Sequence, residues 1–134
     1  MSNNIILLVA RILLAAIFII SGAAKFGDIA GTAGYISSVG LPAGTALAWL
    51  SGLFEVLAGL AILVGFLTRP AALAFAAFCV VAAFFFHYNP ADQMQMINFM
   101  KNLAIAGGFL ALFVTGPGSI SVDAKRGAAI PVLA

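Results

Sequence analysis

Four long apolar runs, broken by short polar segments, set the pattern of the chain: they cover about 5–24, 46–67, 71–86 and 97–115. An α-helix rises ~1.5 Å per residue, so crossing roughly 30 Å of hydrocarbon takes about 20 residues. The runs therefore predict four membrane-spanning helices. Only Thr68, Arg69 and Pro70 separate the second run from the third, a link so short that it forces an antiparallel hairpin. Pro70 suits the first turn of a helix, where its missing N–H has no partner to lose.

Between the first two runs, "KFGDIAGTAGYISSVGLPAG" carries five glycines, a proline and two charges, and reads as an extramembrane loop or interfacial segment. Tyr35 and Trp49 are placed to anchor it at headgroup level. "HYNPADQMQM" forms a polar connection before the fourth run, which Gly116-Pro117-Gly118 stops. The tail from Ser119 to Ala134 is expected outside the bilayer. The expected fold class is all-α: a polytopic membrane protein, an antiparallel four-transmembrane-helix bundle, with residues 1–134 forming a single domain.

Composition sharpens this picture. Of 134 residues, 64% are hydrophobic and 7% charged, and the mean hydropathy is +1.20, outside the balance of a soluble domain. The net charge of +2 is spread along the chain without a run of either sign, which excludes a nucleic-acid footprint. Arg11 interrupts what would be the apolar core of a signal peptide, and Met1 to Asn4 carries no Lys or Arg, so the first run is expected to be a retained helix.

With four spans the termini share one side. Arg69, Lys125 and Arg126 fall on that side, with Arg11 shallow in the same half, whereas Lys25 and Lys101 mark the other. The positive-inside rule then places both termini in the cytoplasm.

The candidate chemistry lies in polar residues inside the apolar runs. Glu55 is roughly 12 Å from the outer end of its run and about 18 Å from the inner end by the helical rise. An ionised group at that depth costs on the order of 3 kcal/mol, so it requires a partner, a proton or a wet cavity. Gly52, Glu55 and Gly59 share one helix face, which lets another helix approach closely and turns Glu55 into the bundle.

Arg11 and Lys25 lie within about 40° of each other at ~100° per residue, with Gly22 nearby. Lys101, Ala104 and Gly108 form a ridge of the fourth helix; Ala72, Ala76, Cys79, Ala83 and His87 form one on the third. Long Arg and Lys stems can span several ångströms of depth. The expectation is a buried network joining Arg11 or Lys101 to Glu55, with His87 and Asn102 near its outer mouth.

Each residue also has a structural reading. Glu55 could simply hold the helices in register, Arg11 could pack with a snorkelling head, Lys25 and Lys101 could anchor headgroups, and His87 could be interfacial. Cys79 reads as an inert buried thiol. With one cysteine, no internal disulfide or dithiol centre can form. No histidine pair at helical spacing, glycine-rich loop or Ser, His and Asp set is present, so no metal site is expected and no catalytic residue can be assigned.

"RILLAAIFIISGAAKF" at 11–26, "GLFEVLAGLAILVGFLTRPAA" at 52–72, His87, and "MINFMKNLAIAGGFLALFVTGPGSISVD" at 96–123 together resemble the DoxX family of small bacterial membrane proteins. The resemblance implies a four-helix protein of the cytoplasmic membrane. Relatives in that family include a small subunit of a thiosulfate:quinone oxidoreductase and a membrane component associated with a superoxide dismutase and a sulfurtransferase. The family's recurrent polar residues fall on Arg11, Lys25, Glu55, His87, Lys101 and Asn102. Family membership bears on fold more than on chemistry.

The leading functional expectation is an auxiliary subunit of a quinone-linked sulfur or thiol oxidoreductase, not an enzyme on its own. It would have a cavity lined by Phe84, Phe85 and Phe86, with Arg11, His87 or Lys101 bonding quinone carbonyls and Glu55 relaying a proton. Any thiol or metal centre would come from a redox partner subunit. The alternatives are a non-catalytic scaffold or, with homo-oligomerisation, a small transporter. Lipid is the expected surrounding and nucleic acid is not an expected partner.

Overall fold

A computed structural model describes residues 2–127, which form helices and no strand. Helix α1 spans Asn3–Gly27 and α2 Ile29–Ser38; α3 runs from Gly44 to Val64 and α4 from Thr68 to Ala82, continued by a π turn, Ala83–His87. Helix α5 spans Gln93–Thr115 and the short α6 Val122–Lys125. Four helical stretches have the length and apolarity to cross a membrane: Asn3–Gly27, Gly44–Val64, Thr68–His87 and Gln93–Thr115. The protein is an all-α polytopic membrane bundle.

The helices are apolar all round, as lipid-facing helices must be. Along α1 the inward positions are Arg11, Ala15, Phe18 and Gly22, while Ile6, Leu13, Ile17 and Ile20 are exposed. The inward stripe of α3 is Gly44, Ala48, Gly52, Glu55, Gly59 and Ile62. These two stripes mesh. A Cβ on Gly22 would stand 2.8 Å from Glu55 Cβ and 2.9 Å from the Gly52 carbonyl oxygen, and one on Gly59 would stand 2.8 Å from Ile19 Cγ1. Without a hydrophobic driving force in lipid, close backbone approach of this kind is a main source of helix association. Helices α1 and α3 form one tight pair, and α4 and α5 form the other.

Between the pairs lies a core around Phe18, Phe75 and Phe109. Phe75 stacks on Phe109 with centroids 4.9 Å apart, and Phe18 lies 4.4 Å from Phe75 and 5.6 Å from Phe109. Phe54 reaches the same cluster, 4.8 Å from Phe75 and 5.2 Å from Phe78. Cys79 is fully buried beside it.

Residues 25–44 are not a plain loop. Asp28 Oδ1 accepts from the Gly31 N–H at 2.9 Å, and the Thr32 hydroxyl donates to the Asp28 carbonyl, which starts α2 despite its glycines. Ala33 and Ile36 of α2 pack against Ala48 of α3. The last spanning helix starts earlier than the apolar run at 97, because Asp92 Oδ1 accepts from the Met94 and Gln95 N–H groups and caps a turn of polar residues. The capping acid is visible in the sequence, but hydropathy alone skips that turn.

The α3–α4 turn is where the C-terminal segment docks. Gly65 has φ +73°, and a Cβ there would strike Arg11 Nη1 and Ser121 Cβ. Leu67 follows with φ 46°, a left-handed conformation that a branched residue adopts only when its surroundings impose it. The imposing group is Asp123. Its Oδ1 accepts from the Leu67 N–H at 2.9 Å, and its Oδ2 accepts from the Thr68 N–H at 2.9 Å and the Thr68 hydroxyl at 2.8 Å. The Asp123 N–H in turn donates to the Gly65 carbonyl at 2.8 Å. Asp123 thus caps α4 from 55 residues away in sequence, with a carboxylate at the positive end of the helix dipole. The remainder of the tail, 128–134, lies outside the described residues.

Gly22→Val should overpack the α1–α3 seam and lower the thermal midpoint in detergent, by the equivalent of ~1–3 kcal/mol. Gly107→Ala, where a Cβ meets nothing within 4 Å, should not lower it. Asp123→Ala should cost about 1–2 kcal/mol through the lost cap, and hydrogen exchange should accelerate at the Leu67 and Thr68 amides before the rest of α4.

Candidate functional site: a membrane-embedded amphipathic cavity

Because α1 stays with α3 and α4 with α5, the two pairs enclose a cavity of about 810 Å³ at the end away from the α3–α4 turn. Phe18, Phe54, Phe78 and Ile105 form its apolar base, and α2 contributes Thr32, Tyr35 and Ile36 to its roof. Its polar groups are Ser21, Lys25, Ser51, Glu55, His87, Asn98, Lys101 and Asn102. Pockets of this size with an apolar body and a few convergent polar groups are the usual form of a small-molecule site.

Five of the six polar residues singled out from the sequence meet here: Lys25, Glu55, His87, Lys101 and Asn102 line this one space. Arg11 does not. It lies on the far side of the Phe18–Phe75–Phe109 layer, about 10 Å below Phe18 along α1 by the helical rise. There it is fully buried, with Nη1 donating to the Leu63 carbonyl at 3.3 Å and Nη2 to the Ile120 carbonyl. Asp123 is near enough to act on it electrostatically. Arg11 Nε has no hydrogen-bond partner among the described residues. Its head does not snorkel out of the bundle; it ties α1 to the end of α3 and to the C-terminal segment.

The partner of Glu55 is therefore neither Arg11 nor Lys101. Lys25 Nζ donates to Glu55 Oε2 at 2.6 Å, with side chains 22% and 5% exposed, and also to Ser21 Oγ at 3.2 Å. The glycines produce this pairing: Gly22 rests directly on Glu55 Cβ, so α1 passes close enough for a lysine one turn further on to fold back onto the carboxylate. Lys25 is also in the last turn of α1, the end of the helix dipole that favours a cation.

The π turn positions the next group. Its wider winding brings Phe86 and His87 together into the cavity wall. His87 Nδ1 donates to Gln95 Oε1 at 2.8 Å, which fixes the ring against the start of α5. Tyr35 of α2 bridges to the same turn: its hydroxyl donates to the Phe86 carbonyl at 3.3 Å and its ring lies 5.2 Å from that of Phe86. The expected aromatic lining is corrected here. Of Phe84, Phe85 and Phe86 only Phe86 lines the cavity, while Phe84 and Phe85 are exposed and Phe84 packs edge-on to Phe99. The aromatic wall is made instead by phenylalanines of three different helices.

On α5 the ridge Lys101, Ala104, Gly108 is not the inward one, since Ala104 is exposed. Asn98, Asn102 and Ile105 face the cavity together with Lys101. Asn102 Nδ2 donates to the Asn98 carbonyl at 3.1 Å. Ser21, Ser51 and Asn98 were not selected from the sequence, because small hydroxyls and amides carry little weight in a hydropathy pattern; Tyr35, expected only as a headgroup anchor, lines the cavity, and Asp123, in a tail expected outside the bilayer, was not singled out. Among the described residues no three His, Cys, Asp or Glu side chains come together to hold a metal ion.

Chemically, the cavity offers hydrogen-bond donors at Lys101 and Asn98, an acceptor at His87 Nε2 once Nδ1 donates to Gln95, an internally neutralised Lys25–Glu55 pair, and a phenylalanine base. Breaking a buried ion pair leaves an uncompensated charge, whereas removing both partners does not. Lys25→Met and Glu55→Leu should each destabilise the bundle, toward the lower end of ~3–5 kcal/mol because Lys25 keeps part of its side chain exposed. The double variant should recover much of that loss in a thermal double-mutant cycle; additive losses would mean that the pair is not coupled.

Comparison with known proteins agrees with the resemblance drawn from the motifs. The sequence model of the DoxX family matches residues 6–88. The chain is 50% identical over 116 residues to the inner membrane protein YqjF of Escherichia coli (strain K12), covering 87% of this chain and 88% of that protein. It is 40% identical over 129 residues to the inner membrane protein YphA of the same strain, covering 92% of each. No solved structure matches.

Proposed function

The chain belongs to the DoxX family, and from that premise we propose that it is an inner-membrane auxiliary subunit of a quinone-linked sulfur or thiol oxidoreductase, its cavity receiving the quinone. The names of its two relatives support the inner membrane as its location. Arg69, Lys125 and Arg126, at the end of the bundle with the α3–α4 turn, support cytoplasmic termini.

The observation that carries the reading is the composition of the cavity: an aromatic base and a polar wall facing each other inside a lipid-spanning bundle. A quinone has those same two parts, and its fit to the residues present is good. Lys101 and Asn98 would donate to its carbonyl oxygens, His87 Nε2 would accept from a hydroxyl of the reduced form, and Phe54 and Phe78 would flank its ring or tail. When bound, a quinone supplies reversible two-electron, two-proton chemistry. The chain's own residues bind and orient, and the Lys25–Glu55 pair stores a proton on Nζ, 2.6 Å from the Oε2 that can take it. The redox centre that exchanges electrons with the quinone belongs to the partner subunit. A scaffold reading, in which the polar pair only sets helix register, differs in one measurable respect: it needs no ligand.

Native mass spectrometry of gently extracted protein, with quinone analysis of the same sample, distinguishes the two. Quinone should be retained by the wild type and its affinity reduced about tenfold or more, ~1.4 kcal/mol, in Lys101→Met that remains folded. Wild-type protein carrying phospholipid alone would remove the quinone reading and leave the scaffold.

A further inference from the structure

We infer that the cavity is loaded sideways from the lipid phase through a window between α3 and α4, so that its ligand is an amphiphile dissolved in the bilayer and not a water-borne solute. The inference rests on the reading that the cavity takes a ligand, and goes beyond it by giving the route and hence the class of molecule.

The window follows from the hairpin. Helices α3 and α4 are joined by the turn at Gly65–Leu67 yet share far fewer contacts than α1 with α3 or α4 with α5. Phe54 and Phe78 are each 11 residues from that turn, about 16 Å by the helical rise, and their rings meet at 5.2 Å. That contact is the sill. One turn higher, Leu50 and Val81 stand level with each other, about 21–22 Å from the turn. Both line the cavity, and both are largely exposed, Leu50 by 62% and Val81 by 55%. Two such side chains at one height on facing helices mark the two sides of an opening. Above them Tyr35 of α2 reaches across to Phe86 by ring contact and hydrogen bond, which closes the top.

Depth decides what the opening faces. With the α3–α4 turn at one interface of a hydrocarbon layer roughly 30 Å thick, a window about 16–22 Å away faces the acyl chains of the opposite leaflet. Its rim is Leu, Val and Phe, without a charge. The polar wall, Lys101, Asn98 and His87, lies behind it. A molecule entering from water would have to pass α2; one entering from lipid would pass only apolar side chains and meet polar groups last. That order suits a ligand with a polar head and a long apolar tail, the tail remaining in the window.

The test uses the full chain in bilayers. The single tryptophan, Trp49, which packs on Phe26 away from the window, is replaced by Phe, and a reporter is placed at the sill as Phe54→Trp or, independently, as Phe78→Trp. In bilayers of phosphatidylcholine brominated on its acyl chains, reporter fluorescence should be quenched. The quenching should be lost when Leu50→Phe and Val81→Phe together narrow the window and should persist with Ile17→Phe, which enlarges an exposed cavity residue on α1. Three results would overturn the inference: a reporter that stays bright in brominated lipid yet is quenched by aqueous iodide, quenching indifferent to the paired substitutions, or quenching abolished only by Ile17→Phe. The readout needs no quinone. Intact quenching with no retained quinone removes the quinone reading alone, and retained quinone with an unquenched reporter removes the window alone.

Discussion

The close passage of α1 over α3 governs the rest of the molecule. Gly22, Gly52 and Gly59 remove side chains from the seam, and the backbones approach until a Cβ on Gly22 would collide with Glu55 and the Gly52 carbonyl. Only at that separation can Lys25 reach Glu55 and the two charges cancel at 2.6 Å. The same seam commits α1 to α3, which leaves α4 to pair with α5. Space between the two pairs is then a consequence of packing, not a feature that any one helix encodes.

The two ends of that space obey one rule in opposite ways. In a low-dielectric surrounding each polar group must find a partner. At the turn end most partners are backbone: Arg11 donates to the Leu63 and Ile120 carbonyls, with its Nε alone unpartnered among the described residues' buried side-chain atoms, and Asp123 takes the Leu67 and Thr68 amides and the Thr68 hydroxyl. The bundle is sealed there, with the phenylalanine layer above it. At the other end the polar side chains of α1, α3, α4 and α5 converge around a cavity and keep bonding capacity in hand. That asymmetry puts the cavity of this DoxX protein at one end of the bundle.

The sequence by itself determined the bundle. Apolar runs of spanning length, a three-residue link and glycine-flanked helix ends follow from hydrocarbon thickness and helical rise, which are the same wherever a chain crosses a bilayer. It also determined that Glu55 turns inward, because an acid flanked by Gly52 and Gly59 has few other options; of the six polar residues that the family resemblance grouped, the fold brings Lys25, Glu55, His87, Lys101 and Asn102 to one cavity and leaves Arg11 out. What only the tertiary structure decided is which charge meets which. Axial depth and helical phase placed Arg11 within reach of Glu55, but the Phe18, Phe75 and Phe109 rings come from three helices and separate them, and no single-helix periodicity contains that layer. Asp123 likewise looks like one more charge in a polar tail until the chain folds back and sets it against the first turn of α4. Helix formation is local and can be read along the chain; charge pairing in a membrane depends on distances between helices, which exist only once they have packed.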